Sequence, residues 1–361
     1  MKPARQLHDS GQSLWLDNLT RALMTSGRLE RYINDLSITG LTSNPTIFNQ
    51  AIANSHDHDA AIIEKTAAGK SGEALIFALA IEDLVRAADL FGPIHEATNG
   101  VDGWVSLEVS PKLAYDTKGT VAAAQALHAL AARPNLFIKI PGTREGLPAI
   151  EEAIFAGVPI NVTLLFSRDQ YLAAAEAYIR GIERRVAAGL NPHVESVASL
   201  FVSRWDTAVV GKVPTTLENK LGIAVATRTY KAYRDLLASD RWLRLLNVGA
   251  RAQRLLWGST GTKDPKVSDT LYVKSLAAPH TVNTIPEKTL LALADHGEIG
   301  VMLPHNGGNA EEMLHRFSQA GVDLDALAAK LQQDGAAAFV KSWDELLGCV
   351  AGKGVRPEKV D

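Results

Sequence analysis

Asn135-Leu-Phe-Ile-Lys-Ile-Pro-Gly142 is a short apolar run closed by a Pro-Gly turn signal, and it reads as a strand buried on both faces. Lys139 stands in the middle of it. Full burial disfavours an ammonium and can lower a lysine pKa by roughly 3–5 units, which leaves an amine able to attack a carbonyl near neutral pH. Schiff-base chemistry is the functional reading of such a lysine. The bland reading is a strand-end lysine whose head snorkels to water, or one ion-paired across a barrel interior.

Working outward, other runs repeat the arrangement, with polar side chains on one parity and apolar ones on the other. In Gly103-Trp-Val-Ser-Leu-Glu-Val109, Ser106 and Glu108 share a face opposite Val105, Leu107 and Val109. Asn161 and Thr163 alternate with Ile160, Val162 and Leu164. Asp17 closes Ser13-Leu-Trp-Leu-Asp17, Asn44 follows Ile38-Thr-Gly-Leu-Thr-Ser43, and Val197-Ala-Ser-Leu-Phe-Val-Ser-Arg204 carries Ser199 before ending on Arg204. The polar residues are few, mostly short and late in each run. A half-exposed antiparallel sheet would carry more Lys, Glu and Thr on its wet side.

Strand-like runs near residues 14–17, 38–43, 103–109, 136–140, 158–165, 197–203, 254–258 and 281–285 alternate with helical periodicity at, for example, 122–132, 144–155, 167–187 and 286–296. This order predicts an α/β fold, a (β/α)8 TIM barrel with additional helices. Two intervals are too long for one crossover helix and lack linker composition. They are expected as helical insertions, about 46–99 and 205–240, in a single domain spanning 1–361. C-terminal helices at about 309–352, read as separate segments 323–333 and 336–350, are expected to pack against or over the barrel.

With 37 basic and 40 acidic residues the net charge is −3, so no polyanion-binding surface and no nucleic-acid partner is implied. The single cysteine, Cys349, excludes intrachain disulfides. The N-terminus has no apolar signal region and no later stretch reaches the ~18 apolar residues of a membrane span, so a cytoplasmic protein, monomer or homodimer, is expected. His56-Asp-His58-Asp59 looks metal-like but reads as a solvated inter-helix loop without further ligands. Pro304-His-Asn-Gly-Gly-Asn309 lacks the lysine of a P-loop and reads as a turn. Arg184-Arg185 suits a helix C-terminus.

In a parallel barrel the C-terminal strand ends converge, so Asp17, Asn44, Glu108, Lys139, Asn161, Thr163, Ser199 and Arg204 become neighbours. That set resembles the transaldolase family. The matching stretches are Gly40-Leu-Thr-Ser-Asn-Pro-Thr-Ile-Phe48, Val105-Ser-Leu-Glu-Val109, Phe137-Ile-Lys-Ile-Pro-Gly-Thr143, Ile160-Asn-Val-Thr-Leu-Leu-Phe166 and Ser199-Leu-Phe-Val-Ser-Arg204. The resemblance covers the chain from about residue 12 to the C-terminal helices. It implies transfer of a dihydroxyacetone unit between sugar phosphates without metal or organic cofactor. Sedoheptulose 7-phosphate and glyceraldehyde 3-phosphate would give erythrose 4-phosphate and fructose 6-phosphate, in the non-oxidative pentose phosphate pathway.

The resemblance further implies that Lys139 forms the imine and that Glu108, helped by Thr163, holds a water for proton transfers. Asp17 would handle the hydroxyl proton during carbon–carbon cleavage, Asn44 and Asn161 would bind substrate hydroxyls, Ser199 would line the cavity and Arg204 would bind phosphate. On the seventh strand, Leu256-Trp-Gly-Ser-Thr-Gly-Thr-Lys263 follows the longer-chain bacterial branch, whereas better-known members place an arginine close after a serine. Ser259 and Lys263 are the candidate phosphate partners there, in a turn whose backbone amides can also hold an anion. Two other readings are a related class I aldolase that releases free dihydroxyacetone, and a catalytically silent sugar-phosphate-binding barrel. Acceptor dependence separates the first from a transferase. The second has no need of a buried free lysine.

Overall fold

Eight apolar runs form strands β1 (Gln12–Asp17), β2 (Ile38–Thr42), β3 (Trp104–Glu108), β4 (Leu136–Pro141), β5 (Ile160–Leu165), β6 (Ser196–Phe201), β7 (Arg254–Gly258) and β8 (Thr281–Ile285). In the computed structural model, which describes residues 2–354, they pair in parallel and in sequence order into a closed barrel, β8 returning to β1. Residue 1 and residues 355–361, the ends of the expected 1–361 span, lie outside the described residues.

Alternation along each strand sorts the side chains. Leu136, Ile138 and Ile140 on β4 and Val105 and Leu107 on β3 face outward into the main core beneath the helices. The opposite parity fills the barrel. Trp15, Trp104, Phe137, Val197, Leu256 and Val282 make a separate interior cluster, with the Trp104 and Phe137 rings stacked at 4.0 Å. Gly40 makes room for this plug, because a Cβ there would stand 2.6 Å from the Trp15 indole nitrogen. Trp15 in turn donates to Asp102 at 2.7 Å. Packing of this kind closes the lower barrel as a core rather than a pore. Polar residues two positions further along the strands stand above it, at the C-terminal end.

The helices are α1 (Pro3–Asp9), α2 (Arg21–Thr25), α3 (Arg28–Leu36), α4 (Pro45–Ala53), α5 (Asp59–Ala67), α6 (Gly72–Ala97), α7 (Thr117–Ala131), α8 (Gly146–Phe155), α9 (Arg168–Ala187) and α10 (Ser203–Val209). They continue as α11 (Leu221–Leu237), α12 (Asp240–Asn247), α13 (Leu271–Ser275), α14 (Glu287–His296), α15 (Ala310–Gln319) and α16 (Leu324–Gly354). Between β2 and β3 lie α4, α5 and α6, and between β6 and β7 lie α10, α11 and α12. No helix among the described residues is long and apolar enough to cross a membrane.

Two sequence expectations are corrected. The segments 323–333 and 336–350 are one continuous helix, α16, running through Gly335. A glycine in a helix interior costs only about 1 kcal/mol relative to alanine, which packing of the helix across the barrel mouth outweighs. His58 is not a solvated loop residue either. It is fully buried and its Nε2 lies 2.6 Å from Asp83 of α6, whose other oxygen accepts from Arg21 at 2.7 Å. Of the two histidines of that segment only His56 is exposed, paired to Asp59.

Candidate active site

A cavity of about 360 Å³ opens at the C-terminal end of the strands, a volume in the range of small-molecule sites. Its walls include Asp17, Asn44, Lys139, Ser199, Arg204, Ser259 and Lys263, seven residues singled out from the sequence. Thr42, Thr284 and Phe339, which sequence reasoning did not select, line it as well. Glu108, Asn161 and Thr163 do not line the cavity but stand behind its wall, all buried.

Barrel register explains the grouping. Glu108 is the neighbour of Lys139 across β3 and β4, Lys139 the neighbour of Asn161 across β4 and β5, and Asp17 the neighbour of Thr42 across β1 and β2. Lys139 Nζ lies 3.0 Å from Glu108 Oε2 and donates to the Ser43 carbonyl at 3.1 Å. Each of the two side chains is only about one-twentieth exposed. Burial pushes the Glu108 carboxyl above its ordinary value, the Lys139 charge opposes this, and the Asp17 charge adds to it. One proton moved across the 3.0 Å contact converts ammonium and carboxylate into amine and acid, so the pair can present a nucleophile and a proton donor together.

Asp17, at the open end of β1, is likewise pushed up by burial and drawn back by Lys139, by a hydrogen bond from Thr42 and by Lys263. The two carboxyls thus sit in different surroundings, the condition for dividing acid and base work between them. Asn44 stands at the N-cap of α4, its Oδ1 accepting from Ile47 N at 3.0 Å. Asn161 is held from two sides, donating to Ser106 Oγ at 3.1 Å and accepting from Ser199 Oγ at 2.7 Å. Among the described residues, Thr163 Oγ1 and Glu108 Oε1 are buried without a protein hydrogen-bond partner, while Glu108 Oε2 faces Lys139.

Arg204 is the second residue of α10, and its guanidinium lies over the Phe201 ring at 5.2 Å and the Phe339 ring at 5.9 Å. It makes no ion pair or hydrogen bond among the described residues. Burial draws its pKa down, partly offset by Asp334. Ser259, at φ 53°, meets Ser203 Oγ at 2.9 Å beside it, and Lys263 reaches the same cavity. Helix α16 roofs the site. Gln332 donates to the carbonyls of Gly142 and Leu164, both at 3.0 Å, and Phe339 covers Lys139 Nζ at 5.8 Å. The alternating strand pattern could not reveal these residues, because they come from a helix more than 150 positions downstream of the strands they touch.

Among the described residues, no group of three or more His, Cys, Asp or Glu side chains is arranged to hold a metal ion. A family model described as transaldolase/fructose-6-phosphate aldolase matches residues 14–350. The chain is similar to the transaldolase of Thermobifida fusca (strain YX), 45% identical over 358 residues and covering 97% of each chain. It is 45% identical to the transaldolase of Saccharopolyspora erythraea over 351 residues, 95% of each chain, and 42% identical to that of Arthrobacter sp. (strain FB24) over 359 residues, 97% of each.

Proposed function

Because the chain belongs to the transaldolase/fructose-6-phosphate aldolase family, we propose that it is a transaldolase that moves a dihydroxyacetone unit between sugar phosphates through an imine on Lys139. The observation that carries this reading is the buried Lys139–Glu108 pair beside a cavity that also holds the unpaired guanidinium of Arg204. A silent binding barrel would have no use for the first. A non-phosphorylated substrate would have no use for the second.

In this mechanism the Lys139 amine adds to the C2 carbonyl of the ketose. The carbinolamine hydroxyl then leaves as water, with the proton supplied from Glu108 through a water held by Glu108 and Thr163. Glu108 Oε1 and Thr163 Oγ1, both buried without a protein partner, support that role. Asp17 takes the proton of the C4 hydroxyl. The C3–C4 bond breaks, its electron pair flows to the iminium nitrogen, an aldose phosphate leaves, and an enamine remains on Lys139. Attack of that enamine on an acceptor aldehyde, with Asp17 returning the proton, runs the step backward on a new partner. Asn44 and Asn161 are assigned to the hydroxyls of the three-carbon unit, Ser199 to the cavity wall, and Arg204, Ser259 and Lys263 to the phosphate.

The test is incubation with fructose 6-phosphate and borohydride, followed by peptide mapping. A three-carbon adduct on Lys139 is the expected result, and an adduct on another lysine overturns the assignment. Turnover of fructose 6-phosphate should require an acceptor aldehyde. Equal turnover without acceptor, with free dihydroxyacetone released, would make the protein an aldolase instead.

A further inference from the structure

We infer that Thr42 and Thr284 are positioning residues for Asp17, forming a one-way hydroxyl chain that fixes one carboxylate oxygen and leaves the other to receive the substrate's proton. The inference rests on the reading of Asp17 as the cleavage base. Thr42 Oγ1 donates to Asp17 Oδ1 at 2.8 Å, and the same Thr42 oxygen lies 2.5 Å from Thr284 Oγ1. Both threonines are buried.

Proton counting sets the direction of the chain. Each hydroxyl has one proton, and an ionised carboxylate can only accept. Thr42 therefore spends its proton on Asp17, and Thr284 must supply the proton of the second contact. The order is Thr284 to Thr42 to Asp17, spanning β8, β2 and β1. Each donor is polarised by the next, so the bond that reaches the carboxylate is strengthened by the one behind it. The far end is itself held, since Thr260 Oγ1 donates to the Thr284 carbonyl at 3.1 Å. With Oδ1 engaged, Oδ2 is left as the acceptor of Asp17 toward the cavity. The other charged groups that act on Asp17 are Lys139 from β4 and Lys263 from the turn after β7, and the Asp17 charge in turn pushes up the Glu108 carboxyl of β3. A packing role alone would be served equally by valine, which has the shape of threonine without the hydroxyl.

The experiment uses Thr42→Val and Thr284→Val, each with the Thr→Ser counterpart, in pre-steady-state cleavage of fructose 6-phosphate with borohydride trapping. Loss of a bond to a charged group corresponds to roughly 10- to 150-fold, so Thr42→Val should lower kcat by that order with little change in KM. Thr284→Val should act in the same direction by roughly 2- to 10-fold. In both variants the acid limb of the kcat profile should move to higher pH, and the trapped adduct should shift from three carbons toward six. The serine variants should restore both readouts. An unmoved acid limb in both valine variants overturns the inference, as does a rise in KM with kcat unchanged, which would make the threonines direct substrate ligands. Absence of any borohydride adduct in the unmutated protein overturns the imine reading and this inference with it.

Discussion

Arg204→Ala isolates the phosphate from the rest of the substrate. In the protein the guanidinium is drawn out of water between Phe201 and Phe339 and has no carboxylate or hydrogen-bond partner among the described residues, so its polar atoms are free for a ligand. A charge-assisted contact of this kind contributes about 1.5–3 kcal/mol, equivalent to roughly 10- to 150-fold in affinity. Two such contacts from one planar fork set the upper limit. The variant should therefore lose at least tenfold in kcat/KM for fructose 6-phosphate, carried mainly by KM. For fructose, which lacks the anion, the change should stay within a few-fold, and competitive inhibition by inorganic phosphate should weaken in parallel. Folding should hardly respond. The substitution removes two cation–π contacts of about 0.5–1 kcal/mol each, but it also relieves a desolvated charge that Asp334 compensates only in part. Initial rates with both sugars and a urea titration measure all of this. Equal losses for fructose and fructose 6-phosphate would refute the assignment, and a large loss of stability would show that the guanidinium is a structural element.

Lys139→Arg should abolish borohydride trapping and turnover together, because a guanidinium cannot form the imine. Asp17→Asn should form the imine but stall, giving a trapped adduct of six carbons by mass spectrometry, whereas Glu108→Gln should slow the appearance of any adduct. Gly40→Ala should destabilise the barrel by about 1–3 kcal/mol in chemical unfolding, since the added Cβ would lie 2.6 Å from an indole that is already fixed by Asp102. Glu195, at the opposite end of the barrel, is pushed by burial up to about 7, with Arg254 and Arg251 opposing. A raised folded-state value means that its favourable contribution is complete below the ordinary value near 4.5 and is lost as pH rises through 7. Glu195→Gln should thus be more stable than the unmutated protein at pH 8, by up to about 3 kcal/mol, with the difference fading toward pH 5 in parallel urea titrations.

The barrel was legible because most strands repeat one physical message: apolar residues on the outward parity for the helices, and polar residues on the inward parity mainly toward the C-terminal end, with Ser13 and Arg254 as exceptions at the other end. Lys139, Glu108, Asp17 and Ser199 declared themselves by breaking an apolar run, and register then made neighbours of residues far apart in the chain. What stayed hidden has specific causes. Thr42 and Thr284 are β-branched residues in strands, where threonine is common for reasons of conformation alone, so their hydroxyls carried no signal until the barrel brought them within 2.5 Å. His58 read as solvated because local composition shows its acidic neighbours but not Asp83, which arrives 25 positions later on α6.

The most instructive failure is Gly335. Read locally, Asp334-Gly335 separates two helical patterns, 323–333 and 336–350. In the fold the same glycine lets an unbroken α16 come close to the strand ends. A Cβ at this position would stand 2.9 Å from Leu164 Cδ2 and 3.1 Å from an Arg204 nitrogen, so any larger residue would push the helix outward or displace the guanidinium. One turn on, Phe339 reaches over both Lys139 and Arg204. The apparent helix breaker is thus what allows the helix to cover the mouth, and its absent side chain keeps the guanidinium in place above the cavity. Close approach between backbone and a charged side chain leaves no periodic trace, which is why it could be read only from the structure.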